Sequence, residues 1–266
     1  MDKTTLMNEK ILQINNTKGI FIETESKGKI VLMFGGFERP ATVEKKFSII
    51  SSRLFENNIS SFRFDFPGIG LSYEFDFSNT TIDSMVSDFM FIYEYFKKLG
   101  YKKISVICHS LSACVVAKIL NEKDIQINKI IFIAPALNQK ELLRYWFAQK
   151  TASKIDKNIE VCFSDYLKYF NEEDFLKDCK KENRETKNNY LNPAYFLQNK
   201  DIDYSLFINK THNILLIHGK NDKTVPIESL NIEFENKIII ENGDHDLEKP
   251  SIFNQWIDIA FKFLIE

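Results

Sequence analysis

Three residue types that cooperate in nucleophilic chemistry stand where apolar runs end. Ser110 closes KISVICHS at 103–110, Asp222 follows NILLIHG at 213–219, and His245 follows KIIIE at 237–241. A serine hydroxyl is a poor nucleophile until a base takes its proton, which a neutral imidazole does near pH 7. A carboxylate behind the ring orients it and stabilises its charged form. The spacing therefore predicts attack by Ser110 on a carbonyl, with His245 as base and Asp222 as its support. The competing readings are an ordinary serine at a helix start and an unpaired histidine on a surface loop.

The segment ICHSLSA at 107–113 carries the most information. A strand that breaks directly into a helix lifts the side chain at the turn clear of the sheet and aims the next backbone amides at whatever binds above it. Such a turn needs small flanking residues, and Cys108 and Ser112 stand two positions either side of Ser110. Developing negative charge also needs donors. FGGFERP at 34–40 brings Gly35 and Gly36, which allow close backbone approach, so the Phe37 and Leu111 amides are the expected oxyanion donors. Neither GGFERP nor FPGIGLS has the spacing of a phosphate or dinucleotide loop.

The chain has four histidines, so His109, His212 and His218 compete with His245 for the role of base. His109 adjoins the serine and is expected to point away; His212 and His218 flank a strand, where each fills a polar edge. Asp244 and Asp246 are too close in sequence to His245 to orient its ring from behind.

The elements that must position these groups alternate in type. Strands are expected at 19–24, 30–34, 60–66, 103–110 and 129–135, and helices at 43–57, 81–98 and 111–120. Thr80 is the expected cap of the second helix, with Asp83 returning the contact. Strand, crossover helix, strand is the grammar of a parallel sheet, whose functional groups gather at the carboxyl ends of the strands. The next strand begins only at 213, so nearly eighty residues fill a crossover that needs about thirty. Tyr145, Trp146, Phe147, Phe163, Tyr166, Tyr169, Phe170, Tyr195 and Phe196 lie there and predict packed helices. The expected architecture is a doubly wound, mostly parallel α/β core at 1–135 and 211–266, a helical cap or lid at 136–210, and one closing helix at 251–264. The mixed-charge run KDCKKENRETK at 177–187 is expected to solvate a cap helix, with an acyl-carrier protein as a minor docking alternative.

Composition narrows the partners. Of 266 residues 44% are hydrophobic and 27% charged, with 35 basic against 37 acidic side chains and a net charge of -2. That describes a folded chain without the bulk positive field that attracts nucleic acid. MDKTTLMNEK has no secretion signal, and runs such as IVLMF fall short of the roughly 20 apolar residues that cross a bilayer. Cys108, Cys114, Cys162 and Cys179 form no zinc-like pattern, so reduced thiols in a cytoplasm are expected, with no metal and no organic cofactor.

FGGFE at 34–38, DFPGIGLS at 65–72, CHSLSA at 108–113, the Asp222 and Val225-Pro226 turn and GDHDLEKP at 243–250 together resemble the α/β-hydrolases. The resemblance is to small capped esterases, acylglycerol lipases and serine-aminopeptidase-like hydrolases, with some likeness to acyl thioesterases. It implies nucleophile Ser110, acid Asp222, base His245 and oxyanion amides from Phe37 and Leu111. Departures are Gly35 for a frequent histidine, Ile69 for another, and Cys108 and Ser112 for the elbow glycines. The implied activity is hydrolysis of a small-molecule carboxylic ester with an apolar acyl or aryl group. A thioesterase or acyltransferase, and a non-catalytic interaction protein on the same scaffold, are the alternatives.

Overall fold

The computed structural model describes residues 7–209 and 211–266. Ten strands and eight α-helices are described, with short 3-10 turns between them. The main sheet runs β1 (Glu9–Ile14), β2 (Thr17–Ile22), β4 (Ser60–Asp65), β3 (Lys29–Phe34), β5 (Lys103–His109), β6 (Ile130–Ile133), β9 (Ile214–Gly219), β10 (Asn236–Ile240). From β4 to β10 every pairing is parallel, while β1 and β2 add an antiparallel edge.

Alternation along the strands builds two cores. Ile30, Leu32 and Phe34 of β3 face α2 (Ile82–Lys98) and α3 (Ser112–Glu122), whereas Val31 and Met33 face α1 (Lys45–Glu56) and the C-terminal helices. On the first face Phe62, Phe64 and Phe34 stack at 5.5 and 5.1 Å between centroids. Both faces are covered, which is why the central strands read as unbroken apolar runs.

One strand is added and three expectations are corrected. β1 lies ahead of the first expected strand; it is a mostly exposed edge that touches the core only through Leu12 and Ile14. The cap of α2 is Thr81, whose hydroxyl accepts from the Ser84 amide at 3.1 Å while Ser84 Oγ accepts from the Thr81 amide at 2.9 Å. Thr80 and Asp83 fall one residue early, and Asp83 instead pairs with Lys118 at 2.9 Å. The closing helix is broken into α7 (Pro250–Phe253) and α8 (Ile257–Ile265), because Trp256 turns inward and its indole donates to the Leu247 carbonyl at 3.1 Å. The run at 177–187 is not one helix face. It passes from α5 (Glu172–Cys179) into β7 (Arg184–Glu185), where Arg184 folds inward, 3.7 Å from the Phe196 ring centroid and 2.6 Å from Asp178.

The chain between β6 and β9 also holds α4 (Gln139–Ile155), β8 (Tyr190–Leu191) paired with β7, and α6 (Ala194–Asn199). Tyr145, Ala148, Val161 and Tyr166 form a small core with Val225 of the loop after β9. Among the described residues no helix is long and apolar enough to cross a membrane.

Candidate functional site

β5 delivers Ser110 into a left-handed backbone setting, φ 57°. This conformation is strained for a residue with a Cβ and persists where surrounding contacts over-determine it. Those contacts are the Ser110 amide donating to Ile133 at 2.9 Å, and the Ser110 carbonyl accepting from Ala113 at 3.2 Å and Ala136 at 3.0 Å. Leu111 then enters α3, and Cys108 and Ser112 are fully buried beside the turn. Ser112 keeps its hydroxyl occupied by donating to the Gly35 carbonyl, which ties the 35–39 loop to the start of α3. A Cβ on Gly36 would stand 2.8 Å from Ser110 Cβ, so glycine is what allows that approach. Among the described residues, neither the Phe37 nor the Leu111 amide donates to a protein acceptor.

His245 Nε2 lies 3.0 Å from Ser110 Oγ, and its Nδ1 lies 2.7 Å from Asp222 Oδ2. The other Asp222 oxygen accepts from the Thr224 and Val225 amides at 2.9 and 2.8 Å. The three groups expected from sequence are thus brought into one chain of hydrogen bonds. Asp244 serves its own loop by accepting from Leu247, and Asp246 pairs with Arg39 at 2.6 Å. His212 lies outside the site.

Two histidines expected to be bystanders support this chain from below. His109 Nε2 bonds the His245 carbonyl at 2.9 Å, and the two rings are 4.7 Å apart. His218 is fully buried, donates to the Val225 carbonyl at 2.9 Å, and lies 3.6 Å from Asp222. Burial holds both imidazoles below their ordinary value, the His109 ring well below it, so they add no positive charge beside His245. Both lie within the last two positions of β5 and β9, so the reading of His218 as filler of a polar edge misses its place beside Asp222.

Sequence reasoning also missed a glycine pair. Gly219 ends β9 and Gly243 follows β10; a Cβ on Gly219 would stand 2.3 Å from the Gly243 carbonyl oxygen. Backbone thus packs on backbone, and Asn221 donates to Gly243 at 2.9 Å, drawing the Asp222 and His245 loops together. A glycine closing one strand and another just past its neighbour was the available signal. Helix α4 holds the acid loop from the other side. Tyr145 donates to the Lys223 carbonyl at 3.1 Å and Trp146 to the Thr224 carbonyl at 2.7 Å.

Ser110 and His245 open into a cavity of about 500 Å³ walled by Phe37, Leu143, Trp146, Tyr195 and Phe196. Arg39 and Asp246 form its charged rim. A larger open hollow of about 840 Å³ behind the 220–228 loop does not reach the serine. Among the described residues no group of three or more His, Cys, Asp or Glu side chains is arranged to hold a metal ion. The four cysteines are free, Cys162 alone being exposed.

A family model described as serine aminopeptidase, S33, matches residues 24–201, more than half of the chain. No curated protein sequence matches. Among solved structures, Est1E from Butyrivibrio proteoclasticus with ferulic acid bound superimposes with a TM-score of 0.69 at 17% identity, over 96% of this chain and 99% of that one. An esterase of Pyrococcus furiosus gives 0.68 at 16% identity, covering 97% and 91%. A proline iminopeptidase-related protein from Thermus thermophilus gives 0.64 at 15%, covering 98% and 99%. At these identities the structures establish a shared α/β fold.

Proposed function

Because the chain belongs to the serine aminopeptidase S33 family of α/β-hydrolases, and is therefore a hydrolase, we propose that it cleaves carboxylic esters through an acyl-enzyme on Ser110. The observation that carries this reading is the unbroken sequence of hydrogen bonds from Ser110 Oγ through His245 to Asp222 at the floor of an aromatic cavity. His245 Nε2 takes the hydroxyl proton as Oγ bonds to the ester carbonyl carbon. The carbonyl oxygen gains the negative charge and is held by the Phe37 and Leu111 amides, which are free to donate. His245 then gives its proton to the leaving alcohol as the C–O bond breaks. A water, deprotonated by the same ring, attacks the acyl-enzyme, and the returning proton restores the serine. Asp222 holds the ring in the tautomer with hydrogen on Nδ1 throughout.

The substrate follows from the walls. Phe37, Trp146, Tyr195 and Phe196 favour an apolar acyl or aryl group over a sugar or a highly charged compound. In this reading residues 136–210 act as the cap that closes the cavity. The ferulic acid held by Est1E is a reason to include aryl esters among the substrates tried.

The test compares the wild type and Ser110→Ala on p-nitrophenyl esters of increasing acyl length, aryl esters and matched thioesters, with fluorophosphonate labelling alongside. Ester turnover should depend on the acyl group, and Ser110→Ala should lose about 10⁴-fold or more. Undiminished turnover by the purified variant would remove Ser110 from the mechanism. A wild type that neither labels nor hydrolyses would point to an interaction protein on this scaffold.

A further inference from the structure

The residue after the Phe37 amide is Glu38, with its backbone left-handed at φ 52° and only 9% of its surface exposed. Its carboxylate is satisfied by a single turn far along the chain. Thr186 Oγ1 lies 2.7 Å from Oε1, Asn189 Nδ2 donates to Oε1 at 2.9 Å, the Lys187 amide donates to Oε2 at 3.1 Å, and the Asn188 amide reaches Oε1 at 3.3 Å. That turn closes the β7–β8 hairpin. It is locked by its own bonds, from the Thr186 amide to the Asn189 carbonyl at 2.9 Å and from the Asn189 amide to Thr186 Oγ1 at 3.1 Å.

The 35–39 loop is thereby fixed on both sides of Phe37. Ser112 holds the Gly35 carbonyl upstream, and the hairpin turn holds Glu38 downstream. Between them the Phe37 ring packs 5.6 Å from both Phe77 and Tyr195. Thr186 also lines the cavity above Ser110. Bonds to a charged acceptor are short and directional, so a carboxylate with four donors is a stiff anchor for the peptide beside it.

We propose that Glu38 is a positioning residue: seated in the 186–189 turn, its carboxylate fixes the adjacent Phe37 amide where the oxyanion forms, making this hairpin part of the reacting apparatus. The inference rests on the reading of Phe37 as an oxyanion donor. It predicts a defect in the transition state with little change in substrate binding.

Glu38→Ala and Glu38→Gln, with Asn189→Ala removing a donor from the opposite side, would be assayed for kcat and KM on the best p-nitrophenyl ester. Active sites are counted by fluorophosphonate titration, thermal melting is recorded, and affinity is measured for an alkyl boronic acid that forms a tetrahedral adduct on serine. Glu38→Ala should lower kcat per titrated site by about 10-fold or more, with KM within about twofold and boronate affinity falling in step with kcat/KM. Glu38→Gln and Asn189→Ala should fall between it and the wild type, and they carry the comparison where Glu38→Ala does not fold. A lowered melting temperature with kcat per titrated site and boronate affinity unchanged would overturn the role of Glu38 alone. A wild type that neither labels nor hydrolyses would overturn the parent reading instead.

Discussion

Replacing Asp88 with asparagine should stabilise the protein at neutral and alkaline pH, and the gain should vanish in acid. Asp88 lies on α2, 8% exposed, with the Asn15 amide 3.5 Å away as its only side-chain partner among the described residues. Burial dominates that single donor and pushes the carboxyl from 3.8 up to about 6. With the folded value raised above the unfolded one, ionisation is harder in the native state. The penalty is absent below about pH 4, grows between about pH 4 and 6, and is constant above that range. Moving the carboxyl from 3.8 to about 6 corresponds to roughly 3 kcal/mol at pH 8. Asparagine keeps the oxygen that Asn15 bonds and carries no charge. Asp88→Asn should therefore add about 2–3 kcal/mol at pH 8 and close to nothing at pH 4, relative to wild type. Urea titrations followed by circular dichroism at both pH values measure the difference. A stability difference that does not change with pH, or a variant weaker than wild type at pH 8, would refute the assignment of the penalty to this carboxylate.

Two further perturbations address the reaction. Asp222→Asn should lower kcat by about 10⁴-fold, because the amide no longer holds the Nδ1 proton in place; ester kinetics on a variant that melts like wild type would check it, and a loss below about tenfold would contradict the support role. Gly36→Ala places a methyl 2.8 Å from Ser110 Cβ and 3.3 Å from the His109 carbonyl oxygen. The loop must move by a few tenths of an ångström, so kcat should fall roughly 10- to 100-fold while KM changes little. Equal kcat in the two proteins would show that the approach of this loop does not matter.

Much of the site was legible because it sits at the ends of buried strands. The apolar runs before Ser110 and Asp222 lie in central strands covered on both faces, and the run before His245 forms the half-buried edge strand β10, so their composition announces them. β1 was not legible, since Glu9–Ile14 is largely exposed and its core contact is limited to Leu12 and Ile14, beside an exposed Ile11. The cap of α2 was misread by one residue because Thr80 and Thr81 stand side by side, and only backbone geometry separates them. The supports of the site were hidden for a different reason. Glu38 meets its turn about 150 positions away in the chain, and Tyr145 and Trp146 meet the acid loop 78 positions away. Nothing local in FGGFERP or RYWF records those partners. The 177–187 charges read as a solvated face because pattern alone does not say that a guanidinium will stack on Phe196.

The hold of α4 on the acid loop bears on how this scaffold can be re-engineered. The loop that positions Asp222 through the Thr224 and Val225 amides presents its Lys223 and Thr224 carbonyls to Tyr145 and Trp146. Grafting a foreign segment across 136–210 to alter substrate range would strip those carbonyls of their donors and slacken the acid together with the pocket. Substitutions confined to Leu143 and Phe196, which wall the cavity without touching that loop's carbonyls, leave the mounting intact. On the proposed ester-cleaving reading, selectivity is therefore better retuned by point changes than by exchanging the whole segment.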